Sequence, residues 1–112
     1  MLPKEKRVPR ATFSEVFKKG KIIHSPFLTL RFIKKEPENS RFSFVISSSV
    51  SKRAVDRNYL KRIGYNIIQN NLKTIKNSYI CTFFFKKEGK NLKFKELEKE
   101  INFLLNKAGI CK

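Results

Sequence analysis

Five cations fall within the stretch Lys52-Arg53-Ala54-Val55-Asp56-Arg57-Asn58-Tyr59-Leu60-Lys61-Arg62, at spacings that repeat on a helix. At about 100° per residue, Arg53, Arg57 and Lys61 share one side and Asn58 and Arg62 take the adjoining strip; Val55, Tyr59, Ile63 and Ile67 line the other. Such a face is suited to anion recognition. Arg forks onto phosphate oxygens, Asn offers both a donor and an acceptor to a backbone or base, and Lys adds a flexible point charge. Covalent chemistry is harder to find. Hydrolysis by side chains needs a nucleophile with its base, paired carboxylates or a metal cluster. The single histidine, His24, has no sequence partner that marks it catalytic. Most acidic residues are flanked by lysine or belong to loops and helix exteriors. Asp56, the one carboxylate in the basic stretch, can hold a cation or pair with Arg53, a solvated helix charge being its ordinary use. Cys81 and Cys111 lack any CxxC pairing, which argues against a disulfide scaffold or a zinc site.

The rest of the composition points to the same kind of partner. Lys and Arg total 26 against 9 acidic residues, a net charge of +17 that runs through the whole chain. A magnitude of about 2 to 8 suffices for solubility, so this much self-repulsion implies a polyanion, and nucleic acid first. At 112 residues there is room for one domain with a real core and not for two. No stretch reaches the roughly 18 apolar residues of a membrane span, and Met1 to Arg7 lacks the apolar region of a signal peptide. The expectation is a cytoplasmic protein with no membrane partner.

The elements that must position the basic face can be taken in order. Residues 1–10 carry Lys4, Lys6, Arg7 and Arg10 with Pro3 and Pro9, the composition of an extended, mobile arm. Thr12-Phe13-Ser14-Glu15 fits a capping box at the head of a short helix, on which Phe13, Val16 and Phe17 share a face until Gly20 stops it. Those phenylalanines either pack in the core or meet a nucleotide. From Ile22 the period becomes alternating. Strands are predicted over Pro26 to Lys34 and Arg41 to Ser48, joined as an antiparallel pair by the polar turn at residues 35–40. In the second, Phe42, Phe44 and Ile46 point one way and Arg41, Ser43, Val45 and Ser47 the other. The basic helix should run from Arg53 to Asn70, with Gly64 inside it at a cost of about 1 kcal/mol. Ser78 to Phe85 reads as a central strand. Lys93 to Lys107 reads as a packing helix with Phe94, Leu97, Ile101, Leu104 and Leu105 on one stripe. The fold expected is α+β, helices layered on a small mixed sheet of about four strands, in the order αβββαβα.

The run Arg53-Ala54-Val55-Asp56-Arg57-Asn58-Tyr59-Leu60-Lys61-Arg62 resembles the signature helix of the bacterial ribonuclease P protein subunit, whose motif reads Arg-Asn-Arg, one residue, then Lys-Arg. Phe13-x-x-Val16-Phe17-x-x-Gly20 looks like that family's first helix, Arg41 to Ser47 like the strand before the signature helix, and Tyr79 to Phe83 like the strand after it. The chain departs from the pattern at Tyr59, which replaces the second motif arginine. Ser48 and Ser49 stand where lysines are common, Ser43 where glycine is usual, and Ile63 where another basic residue often follows. Because Tyr59 falls on the apolar strip, it is expected to pack with its hydroxyl at the rim, and Lys52 to compensate for the missing charge.

The resemblance implies a two-layer α/β sandwich with the signature helix in a left-handed βαβ crossover, against the right-handed rule. It implies an accessory protein subunit of a ribonucleoprotein endoribonuclease that removes the 5′ leader from precursor tRNA. On that footing Lys52, Arg53, Arg57, Asn58, Lys61 and Arg62 face ribonuclease P RNA. Phe13 and Phe17 line a cleft for the single-stranded leader, where aromatic faces stack on bases without demanding a sequence. Mg²⁺-dependent hydrolysis would belong to the RNA, which would hold most of the Mg²⁺. The alternative is a basic structural RNA-binding protein, of the ribosomal kind, with no role in cleavage.

Overall fold

Alternation along the strands decides which residues meet which helix. The structure, a computed structural model, describes residues 7–36 and 39–112. Helix α1 spans Arg10–Lys19, followed by strands β1 (Lys21–His24), β2 (Leu28–Lys34) and β3 (Arg41–Val45), helix α2 (Ala54–Asn70), strand β4 (Tyr79–Phe85) and helix α3 (Phe94–Lys107). The four strands form one mixed sheet in the order β1-β2-β4-β3. β2 runs antiparallel to both β1 and β4, and β3 lies parallel to β4.

The antiparallel pairing of β2 with β3 expected from the short connection does not occur, because β4 inserts between them. The reason lies in β4 itself: Ile80, Cys81, Thr82 and Phe83 are all buried, so both of its faces are covered and it belongs inside the sheet. β3 alternates buried and half-buried residues, which suits an edge. Its outer side is not left bare. Arg7 bridges to Phe42 in parallel, and the Arg41 guanidinium donates to the Arg7 carbonyl at 3.1 Å. The basic arm is therefore attached to the sheet from Arg7 onward; Lys4 and Lys6 lie outside the described residues.

One face of the sheet carries Leu28, Leu30, Phe32, Phe42, Phe44, Cys81, Phe83 and Phe85, and α2 and α3 close over it with Leu60, Ile67, Ile68, Leu97, Ile101, Leu104 and Leu105. Helix α1 lies across the other face, with Val16 buried beneath it. The expected capping box at Thr12 is absent. The helix begins earlier, with Pro9 at the cap and its carbonyl accepting from Phe13. Glu15, freed from that role, accepts from Lys35 at 2.8 Å, and this bond holds its carboxyl below the ordinary range. The tie fixes the middle of α1 to the end of β2.

The apolar strip of α2 also differs from expectation. Leu60, Gly64, Ile67 and Ile68 are its buried residues, together with Tyr65, whereas Val55 and Tyr59 are 59% and 58% exposed. The i, i+4, i+7, i+8 series beginning at Leu60 is as regular as the one beginning at Val55, and what selects it is Gly64. A Cβ at that position would stand 2.7 Å from the Phe44 ring, so the glycine lets helix and sheet approach. Its cost in helix propensity is offset by close packing.

Both cysteines are free. Cys81 is fully buried and burial pushes its thiol far up, while Cys111 is half-buried and shifted up less. A thiol reagent at neutral pH should therefore modify one group per folded chain, and Cys111→Ser should abolish that reaction. Two equally fast thiols in the wild type would contradict the burial of Cys81.

Candidate nucleic-acid interface

The basic stretch begins in a tight turn rather than in the helix. Val50 and Ser51 both donate their backbone N–H to the Ser47 carbonyl, at 3.0 and 3.1 Å. The turn is closed from the helix side by Arg57, whose guanidinium donates to the carbonyls of Ser51 and Lys52 at 2.8 and 2.9 Å. Arg57 thus shapes the loop as well as charging it. Arg53 caps α2 and reaches Asp56 at 4.0 Å, both side chains being mostly solvated; such an exposed pair contributes little. Lys52, Asn58 and Arg62 are exposed, and Lys61 and Arg57 are half-buried beside the core strip. The outward face of α2 consequently combines Asn58 and Arg62 with Val55 and Tyr59. Of the apolar side expected at Val55, Tyr59, Ile63 and Ile67, only Ile67 is buried and Ile63 packs partly against the core. Ser48 and Ser49 are exposed in the turn, where they add hydroxyls and no charge.

The second feature is an aromatic patch between α1 and the sheet. Phe13 and Phe17 stack at 6.4 Å, and each lies 6.1 Å from Phe84 of β4. Phe17 is 49% exposed, so its ring does not belong to the core. Arg31 of β2 lies over it, 4.2 Å from the ring centre, and donates to the Phe17 carbonyl at 3.0 Å. That contact combines a cation–π interaction with a backbone anchor. Strand register sets hydroxyls around the rings. Arg31 and Ser43 both pair with Thr82, and Ser43 donates to the Thr82 hydroxyl at 3.1 Å. Thr29 pairs with Phe84 and lies 3.1 Å from the His24 ring.

The structure brings Phe13 and Phe17 together as expected and adds Phe84 and Arg31, which composition had hidden. Phe84 sits within Phe83-Phe84-Phe85, where the run looks uniformly buried; only the period of two assigns it to the opposite face. The same alternation places Arg31 between the buried Leu30 and Phe32. The patch lies beside the strand that leads into the basic turn: Val45 pairs with Phe84 in the parallel ladder, and the chain passes from Val45 through the Ser47–Arg53 turn into α2. A wider concavity of about 600 Å³ lies at the opposite rim, near Lys21, Lys34, Tyr79 and Lys107. Lys19 and Lys107 there end α1 and α3, where cations offset helix-terminal carbonyls.

Carboxylates contribute little to either feature. Glu15 is bound by Lys35, Glu36 by Lys34 and Asp56 by Arg53; Glu98 accepts from Asn71, and Glu96 from the Lys93 backbone. Among the described residues no group of three His, Cys, Asp or Glu side chains is placed to hold a metal ion. No helix among them is long and apolar enough to cross a membrane.

Sheet order, crossover helix and basic turn define a class: an α+β domain whose cationic helix links two parallel strands. The family described as Ribonuclease P matches residues 2–109, and the chain belongs to the ribonuclease P protein family. The Fusobacterium nucleatum ribonuclease P protein component is 31% identical over 102 residues, covering 88% of this chain and 91% of that one. That of Syntrophomonas wolfei is 27% identical over 111 residues, covering 98% and 92%. Among solved structures, the Staphylococcus aureus RNase P protein superposes with a TM-score of 0.85 at 16% identity, over 96% of this chain and 98% of that one. The Thermotoga maritima protein gives 0.82 at 24% identity, over 90% and 96%. The mixed four-stranded sheet with three helices is the fold of these proteins. Membership gives the chain a part in the ribonuclease P ribonucleoprotein, an RNA-binding role in tRNA processing.

Proposed function

We propose that the chain assists ribonuclease P RNA in removing the 5′ leader of precursor tRNA, gripping the RNA with the Ser47–Arg62 region and the leader with the patch formed by Phe13, Phe17, Phe84 and Arg31. The observation that carries this is adjacency. The strand that ends in the cationic turn pairs beside Phe84 of the aromatic patch, so one extended strand can stack on the rings while its flanking duplex meets the cations that follow. The protein contributes binding and orientation. Hydrolysis and most of the Mg²⁺ it needs are assigned to the RNA, because among the described residues no three His, Cys, Asp or Glu side chains gather to hold a metal ion. The ribonucleoprotein would act in the cytoplasm.

The test is reconstitution: purified chain, bacterial ribonuclease P RNA and precursor tRNA at low Mg²⁺, with cleavage followed in time. Stimulation is expected. Its absence would favour a structural RNA-binding protein of the ribosomal kind. In the same assay Phe13→Ala should weaken binding of leader-bearing precursor by on the order of 10-fold and leave leaderless tRNA unaffected. Equal loss for both would return Phe13 to a packing role.

A further inference from the structure

Among the described residues Tyr59 has no partner that accounts for its position. It was expected against the core, yet its ring is 58% exposed and Val55, one turn before it, is 59% exposed. Among the described residues nothing stacks on that ring or hydrogen-bonds its hydroxyl. Scattered apolar residues on a surface need no explanation, but the Tyr59 ring borders a pocket of about 440 Å³. That volume lies within the range that takes a small ligand, roughly 300 to 1,000 Å³. Leu60 and Leu92 give the pocket apolar walls, and Asp56, Lys90 and Asn91 supply its polar groups. Arg62 stands one turn beyond Tyr59 on α2.

The geometry points to a slot for one unpaired nucleotide of the bound RNA, its base on the Tyr59 ring and its flanking phosphates toward Arg62 and Lys90. The inference rests on α2 facing RNA, as proposed above. Each part matches one need of such a nucleotide. A flat, half-exposed ring takes a base face without demanding a sequence, Asp56 accepts from an amino or imino N–H on the base edge, and Asn91 donates or accepts there. A paired base cannot enter, since its faces are already stacked and its edge already bonded. A protein side chain is the poorer fit, because the surrounding surface carries the chain's net charge of +17 and repels most basic partners.

The three tyrosines allow a direct test by ¹⁹F NMR of fluorotyrosine-labelled protein, with Tyr59→Phe assigning the Tyr59 signal. Single-stranded oligoadenylate should shift that signal and leave buried Tyr65 in place, whereas a matched RNA duplex should not move it. On ribonuclease P RNA, Tyr59→Ala should bind about 10-fold more weakly with an unchanged salt slope, and Tyr59→Phe should bind nearly as tightly as wild type. An unmoved Tyr59 signal, or unimpaired binding by Tyr59→Ala, overturns the slot. Arg62→Ala separates the two levels. If it flattens the salt dependence while Tyr59→Ala does nothing, the slot alone is wrong; if neither variant has an effect, α2 does not face RNA.

Discussion

Replacing Lys52, Arg53, Lys61 and Arg62 together by glutamine should weaken binding to ribonuclease P RNA and make it far less sensitive to salt, with little change in folding stability. Each phosphate neutralised by a cation contributes about 0.7 to 0.9 to the slope of log affinity against log salt, so removing four contacts should flatten it by about 3. Affinity at low salt should fall on the order of 100-fold or more. The fold should tolerate the change, since these side chains are exposed or half-buried and only Arg53 holds an ion pair, with Asp56. Surface substitutions of that kind usually stay within about 0.5 kcal/mol each. Arg57 is left out deliberately. Its guanidinium holds the carbonyls of Ser51 and Lys52, so Arg57→Ala would remove a charge and untie the turn at once. Arg57→Lys keeps the charge without the fork; any loss it shows reports on the fork, in the loop or on a phosphate, rather than on charge alone. A salt slope unchanged by the fourfold substitution would remove α2 from the RNA interface.

That distinction between charging and shaping was not legible in the sequence, although the basic stretch was. Helical spacing placed Arg53, Arg57 and Lys61 along one side, which is correct as angular arithmetic. It cannot say where the core lies relative to that side. Two apolar series run through the helix, one from Val55 and one from Leu60, and periodicity treats them alike. The choice between them depends on Phe44, a residue of another element, whose ring admits the helix only at a glycine. Strand pairing was hidden for a related reason. Alternation reported correctly which residues of β3 face inward, but pairing partners are a property of the whole sheet, and the partner of β3 arrives only after a helix of 17 residues. Capping at Thr12 failed locally: the motif was present, but Glu15 found a stronger partner in Lys35, twenty residues away. Element order, the central place of β4 and the closeness of Phe13 to Phe17 needed no such distant information, and they were readable from the start.

Phe44→Ala should be the most damaging single substitution in the docking of α2, costing about 3 to 5 kcal/mol out of a total stability of about 5 to 15. The ring is 3% exposed and stacks on Phe83 at 5.0 Å, meets Tyr65 edge-on at 5.2 Å and approaches Phe85 at 6.3 Å. Because three aromatic neighbours confine it, the ring cannot retreat from an added methyl on the helix. Gly64→Ala should therefore destabilise despite gaining about 1 kcal/mol of helix propensity, since overpacking costs about 1 to 3 kcal/mol. The two effects must be coupled. With Phe44→Leu the ring is gone and the Cβ has room, so Gly64→Ala should become neutral or stabilising in that background, a coupling of about 1 kcal/mol or more. Urea unfolding of the four proteins measures it. An equal cost of Gly64→Ala in both backgrounds would mean that the glycine makes room for something other than Phe44, and the account of why α2 turns Tyr59 outward would lose its cause.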